Sequence, residues 1–191
     1  MPYFPNGNLA QYVDGKPESE KLRLLASSAS ALRGLHHSGI AHGHIAPQNF
    51  LVTDDGAVVV SDVLLDVTMR EEHWRNNGNV PPPSLWQYRP MEELLPPETS
   101  TALVPCSLAG DVFAFGTVIY EILAEKLPSS RRDLNRRLTT GRYRLSSIQR
   151  PSSIRNDWIW ELLRECLRDD PGSRPSMAEV DNVIRRLVYS F

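Results

Sequence analysis

The stretch "HGHIAPQN", residues 42–49, decides how the rest of the chain is read. Two histidines, a turn proline and an amide stand between an apolar helical pattern and an apolar strand, and loops so placed carry chemistry more often than the elements they join. Before the loop, Leu22, Leu25, Ala29, Leu32 and Leu35 recur at three- and four-residue spacing. They predict a helix over 19–38, capped by Ser19 and ended by Gly39. After the loop, "FLV" (50–52) and "AVVV" (57–60) flank "TDDG", a hairpin signal.

Beyond the hairpin, residues 61–85 read as irregular, with "NNGN" and "PPP" breaking any period. The pattern becomes helical again: a short turn at 90–95, a long apolar helix at 108–127, amphipathic helices at 130–140 and 157–168, a break at "DDPGSRP" (169–175), and a last helix at 176–188. The prediction is a mainly α domain over 1–191, with one small β-hairpin inserted after the first long helix.

Bulk composition narrows the function classes. The 191 residues carry a formal net charge of −2 and 41% hydrophobic residues, enough to bury a core and without the basic excess that nucleic acid or an anionic membrane would select. The most apolar run, "VFAFGTVIYEILA" (112–124), is too short to span a bilayer and contains Glu121. Cys106 and Cys166 have neither metal nor disulfide-framework spacing. Cys166 falls at an apolar helical position. No signal-peptide pattern opens the chain. A soluble, cytoplasmic protein is expected. A zinc reading of His36, His37, His42 and His44 lacks a well-spaced third ligand or a cysteine.

The order of these segments resembles the large, C-terminal lobe of a eukaryotic protein kinase. "MPYFPNGNL" looks like the interlobe hinge, "HGHIAPQNFLV" like the catalytic loop H-R-D-L-K-P-x-N with its strand, and "VVVSDVL" like the D-F-G segment. "YRPMEELL" resembles the A-P-E region, "AGDVFAFGTVIYEIL" the central helix, and "CLRDDPGSRP" the closing C-x-x-x-D-P-x-x-R-P. The likeness begins at the hinge. The glycine-rich loop and the lysine of the small lobe therefore have no counterpart in the 191 residues, and a start at Met1 fits a chain cut from a longer one better than a lobe standing alone.

The resemblance assigns roles residue by residue. His42 would pack structurally. Gly43 replaces an arginine that in many kinases receives a phosphorylated activation loop, so switching by loop phosphate should be weak. His44 replaces the proton-accepting aspartate and Ala46 the lysine aimed at the transferred phosphate, losses that remove stabilisation worth a few kcal/mol (about 3). His44 thus reads as an inert loop histidine rather than an unusual base. Asn49 and Asp62 remain at the two magnesium positions, with oxygen donors of the right hardness; each also has a plain structural reading, as a turn residue and a strand-end cap. Val63 and Leu64 replace Phe and Gly, removing a backbone position tolerant of positive φ. Leu51 sits where the family packs a leucine under adenine, so ATP and Mg²⁺ are the implied cofactors, with binding weakened where the small lobe is missing.

The framework positions are kept. Glu92 and Arg174 would form the buried ion pair that ties the activation segment to the end of the lobe, and Asp111 would hydrogen-bond the catalytic-loop backbone. Loss of catalytic groups beside retained fold groups implies a pseudokinase-like binding or scaffold module with a protein partner. The alternative is a divergent serine/threonine or tyrosine-kinase-like enzyme. A lone lobe would also expose an apolar floor around Leu51 and Tyr3, with poor solubility as the consequence.

Overall fold

The computed structural model describes residues 4–65, 85–94, 106–128 and 148–189, with single positions between 68 and 76. Six helices and one two-stranded hairpin are defined among them: α1 (Leu9–Tyr12), α2 (Glu18–His37), β1 (Phe50–Val52), β2 (Val58–Val60), α3 (Met91–Leu94), α4 (Leu108–Ala124), α5 (Asp157–Cys166) and α6 (Met177–Tyr189). The mainly α reading with a hairpin after the first long helix holds. The predicted helix over 130–140 lies outside the described residues.

Helix α4 is the axis of the core. Every residue from Gly110 to Tyr120 is buried, as are Ile122 and Leu123. Ser107 caps it by accepting from the Gly110 amide at 2.9 Å. It ends at Ala124, three residues earlier than the apolar run predicts, because Glu125 turns left-handed (φ +54°) and pairs with Lys21 of α2 at 2.7 Å. Helix α5 crosses close to it at Gly116, where a Cβ would stand 2.7 Å from the Cys166 Cβ. Cys166 is fully buried as expected, and burial pushes its thiol pKa up to about 12.

Helix α2 buries Leu24, Leu25, Ala26, Ala29 and Leu32. The buried face is wider than a single stripe, and Leu22 and Leu35 lie at its half-buried margins, because α6, β2 and α4 all pack on this helix. Ser19 does not cap it: the helix begins at Glu18 after Pro17, which offers no side-chain acceptor. Glu18 and Glu20 in the first turn and His36 and His37 in the last suit the helix dipole instead. Gly39 (φ +72°) ends it as predicted, its amide bonded to the His36 carbonyl at 2.9 Å.

The hairpin pairs Phe50 with Val60, Leu51 with Val59 and Val52 with Val58, and Gly56 (φ +79°) supplies the turn. Helix α1, a single turn capped by Asn8, has no counterpart in the sequence reading; Asn8 bridges to Leu51 and places the N-terminal segment against β1. Helix α5 is capped by Asn156 and stops at Cys166, two residues early. Helix α6 opens on a reciprocal capping box, Ser176 N to Glu179 Oε2 at 2.7 Å and Glu179 N to Ser176 Oγ at 3.3 Å. Of the stretch read as irregular, Leu65, Thr68, Met69, Glu72 and Asn76 take helical backbone geometry, and the Thr68 amide bonds to the Leu64 carbonyl at 3.0 Å. That corrects the expectation there; its "NNGN" and "PPP" breakers are mostly undescribed.

Candidate functional site

The loop 42–49 is held from below by one carboxylate. Asp111, in the first turn of α4 and 2% exposed, accepts from the His42 amide at 2.6 Å and the Gly43 amide at 2.9 Å. His36 Nε2, at the end of α2, lies 2.8 Å from the same carboxylate. A buried charge is tolerated when its oxygens are filled in this way. Asp111 thus hydrogen-bonds the backbone of the loop, and His36 is an addition that helical periodicity alone did not mark.

His42 is fully buried, and burial is the main cause that lowers its pKa, with Asp111 opposing. Its Nδ1 accepts from the His44 amide at 3.2 Å, so the ring is neutral with its proton on Nε2. Nε2 is buried with no hydrogen-bond partner among the described residues. His42 therefore serves the loop's shape. The side chain of His44 is half-buried. Ala46 is fully buried in the main hydrophobic cluster, so its methyl packs rather than facing a ligand.

Asn49 ends a 3₁₀ turn over Pro47–Asn49, at the entry to β1. Its Nδ2 donates to the His44 carbonyl at 2.6 Å, which leaves Oδ1 as the free acceptor end of the amide. The Ser61 amide bonds to the Asn49 carbonyl at 2.9 Å, so the hairpin sets Asn49 beside Ser61 and Asp62. Asp62 is exposed and left-handed (φ +58°). Among the described residues its carboxylate meets only the Ser61 hydroxyl, at 3.4 Å. The hairpin thus brings the two oxygen donors to one end of the sheet. Among the described residues no three His, Cys, Asp or Glu side chains gather to hold a metal, so the zinc reading gains nothing. The Asn49 and Asp62 donor chemistry fits Mg²⁺ that brings its own phosphate and water ligands.

Leu64 is also left-handed (φ +59°), and its amide donates to the His42 carbonyl at 2.7 Å. A leucine here takes a conformation that favours glycine, at a conformational cost of about 1–2 kcal/mol. Leu51 is half-buried on the hairpin, while Tyr3, its expected companion in an apolar floor, lies outside the described residues.

The framework pair is present. Arg174 Nη1 donates to Glu92 Oε1 at 2.6 Å and Nη2 to Oε2 at 3.2 Å, a two-pronged contact. The guanidinium also reaches the carbonyls of Arg168, Asp169 and Ala109 and lies 5.0 Å from the Phe113 ring centre. Two further polar sets escaped sequence reading. Tyr88 Oη donates to Glu121 Oε2 at 2.6 Å, and burial raises the pKa of both groups. Arg89 joins Glu93 and the carbonyl of Gly43.

The description "Protein tyrosine and serine/threonine kinase" matches residues 1–184. The chain is 27% identical, over 95% of its length, to the serine/threonine-protein kinase SZE1 of Arabidopsis thaliana, of which it covers 61%. It is 26% identical to an inactive receptor-like serine/threonine-protein kinase of the same plant, over 97% of this chain and 37% of that protein. Against Kinase suppressor of Ras B of Caenorhabditis elegans the figures are 26%, 78% and 30%. The chain thus spans less than two thirds of the length of each of these relatives. No described helix is long and apolar enough to cross a membrane. With that description matched over residues 1–184, this chain belongs to the protein tyrosine and serine/threonine kinase family.

Proposed function

We propose that this chain is a catalytically impaired, pseudokinase-type module that works by binding a protein partner in the cytoplasm. The observation that carries the reading is His44. The loop around it is built with full backbone support from Asp111, yet the group at the base position is an imidazole. Ala46, two residues on, places a packed methyl where the family aims a lysine. Transfer of a phosphoryl group depends on positioning and charge neutralisation, and both side chains that would supply them are gone. One relative is named as inactive, which is in keeping with this reading.

A second reading, a divergent kinase using Mg·ATP, draws on Asn49 and Asp62. When bound, magnesium would neutralise the nucleotide's phosphate charge. Asn49 Oδ1 and the Asp62 carboxylate are the groups that would hold it, with Leu51 beneath the base. Thermal unfolding of the chain with and without millimolar Mg·ATP separates the two. A shift below about 1 °C supports the binding module. A shift of several degrees, abolished by EDTA and by Asp62→Asn, would establish nucleotide binding and return the enzyme to first place.

A further inference from the structure

Gly43 brings no side chain to the loop, but a guanidinium reaches it from elsewhere. Arg89, just before α3, donates from Nη2 to the Gly43 carbonyl at 2.7 Å and from Nη1 to Glu93 Oε2 at 3.1 Å. Both side chains are nearly sealed from water, at 7% and 6% exposure. Glu93 is held in turn by the Ser107 amide, 3.4 Å from Oε1, at the cap of α4. The carboxyl fits there only because residue 110 is glycine: a Cβ on Gly110 would stand 1.8 Å from Glu93 Oε1. Gly43, Arg89, Glu93, Gly110 and Asp111 line one small internal void. Gly110 therefore makes room for one buried ion pair, and that pair ends on the backbone of the loop.

We infer that Arg89, braced by Glu93, is a built-in clamp that fixes the 42–49 loop at Gly43, so that the presentation of His44 and Asn49 is set without an added phosphate. Asp111 holds the amides of His42 and Gly43, and Arg89 holds the Gly43 carbonyl, so the loop's turn is gripped on both its donor and acceptor sides. The Gly43 conformation (φ +72°) is one that a side chain would strain, which suits a position whose guanidinium comes from a neighbour. The guanidinium is 7% exposed and spends both terminal nitrogens on internal acceptors, so little of it faces an incoming phosphate. A protonated Glu93 would still offer Arg89 an acceptor oxygen, so the clamp does not depend on that carboxyl's charge.

Amide hydrogen exchange of the unphosphorylated chain, read residue by residue, tests this. The amides of Gly43, His44 and Asn49 should be protected in the parent. In Arg89→Met their exchange should rise at least tenfold, with α2, α4 and α6 unchanged. Gly110→Ala evicts Glu93 without touching Arg89 or the loop, and should raise the same amides by a smaller factor. Glu93→Gln keeps the acceptor and should leave them near parental values. Fast exchange of the loop in the unphosphorylated parent overturns the clamp. So does an unchanged loop in a folded Gly110→Ala protein, or a rise spread evenly over the helices in both variants.

Discussion

The loop 42–49 and the framework beneath it differ in what has been kept. Beneath the loop, Asp111 fills its oxygens with two backbone amides and lies against His36, and Arg174 grips Glu92 with two nitrogens while spending others on carbonyls. On the loop, the chemistry-bearing positions hold a half-buried imidazole and a packed methyl. Buried charges with every arm committed are costly to lose singly, whereas a partly exposed side chain can change at small cost. The fold therefore constrains the framework more tightly than the half-buried position 44, and substitutions in the framework and at position 44 should fall at opposite ends of one stability scale.

The largest effect should come from Arg174→Ala. It strips the partner from Glu92, which at 32% exposure stays within reach of water, and leaves the carbonyls of Ala109 and Arg168 without their donor, for a loss of about 3 kcal/mol by chemical denaturation. An effect below about 1 kcal/mol would mean that the pair is ornamental and that the framework is not what distinguishes the two regions.

Next is Glu93, whose carboxyl is raised from 4.5 to about 7, chiefly by burial, with Arg89 opposing. The folded state then binds a proton more tightly than the unfolded one between those values. Its contribution is full below about pH 4.5 and is lost as pH rises through 7, about 3 kcal/mol in all. Glu93→Gln should remove this slope, so the stability difference between variant and parent should grow in the variant's favour from pH 5 to 8. A difference that stays flat over that range would show that Glu93 does not titrate there.

Gly116→Ala places a methyl 2.7 Å from Cys166 Cβ, where α4 and α5 cross, and should cost about 1–3 kcal/mol. Leu64→Gly should act in the opposite sense. Leu64 is left-handed and 37% exposed, so glycine relieves strain while giving up little burial, and a gain of about 1 kcal/mol is expected. A loss instead would show that the side chain of Leu64, and not the backbone, holds this segment against the loop.

Much of this contrast was readable from residue order. Periodicity located α2 and the long α4, "TDDG" located the hairpin turn, and motif order paired Glu92 with Arg174, 82 positions apart. What stayed hidden was polar burial decided by tertiary contacts. Within "MEEL" only Glu92 carries a motif assignment, yet Glu93 is buried, with room made for its carboxyl because Gly110 lacks a Cβ. Arg89 draws no notice in the sequence until the fold brings Gly43 to it. The cap at Ser19 failed because propensity at a helix start is local, and Pro17 with two early acids starts the helix one residue sooner. The ends of α4 and α5 came early for a similar reason. Glu125 turns to reach Lys21, and the Leu167 amide still bonds back to Leu163 while the residue itself leaves the helix.

The smallest expected effect is the most informative about the loop. His44→Asp restores a carboxylate at the base position. Two backbone links of residue 44, its amide to His42 Nδ1 and its carbonyl to Asn49 Nδ2, survive the change. Stability should therefore move by less than about 1 kcal/mol, as for a partly exposed position outside the core. If the loop is a working frame that has lost its reactive group, the variant should unfold at nearly the parental midpoint. It should also leave the Gly43 and Asn49 backbone amide shifts in place. A loss of several kcal/mol, or amide shifts displaced along the whole loop, would mean that the imidazole has become part of the frame. The contrast between kept framework and lost chemistry would then fail at its centre, because His44 would be a structural residue in its own right.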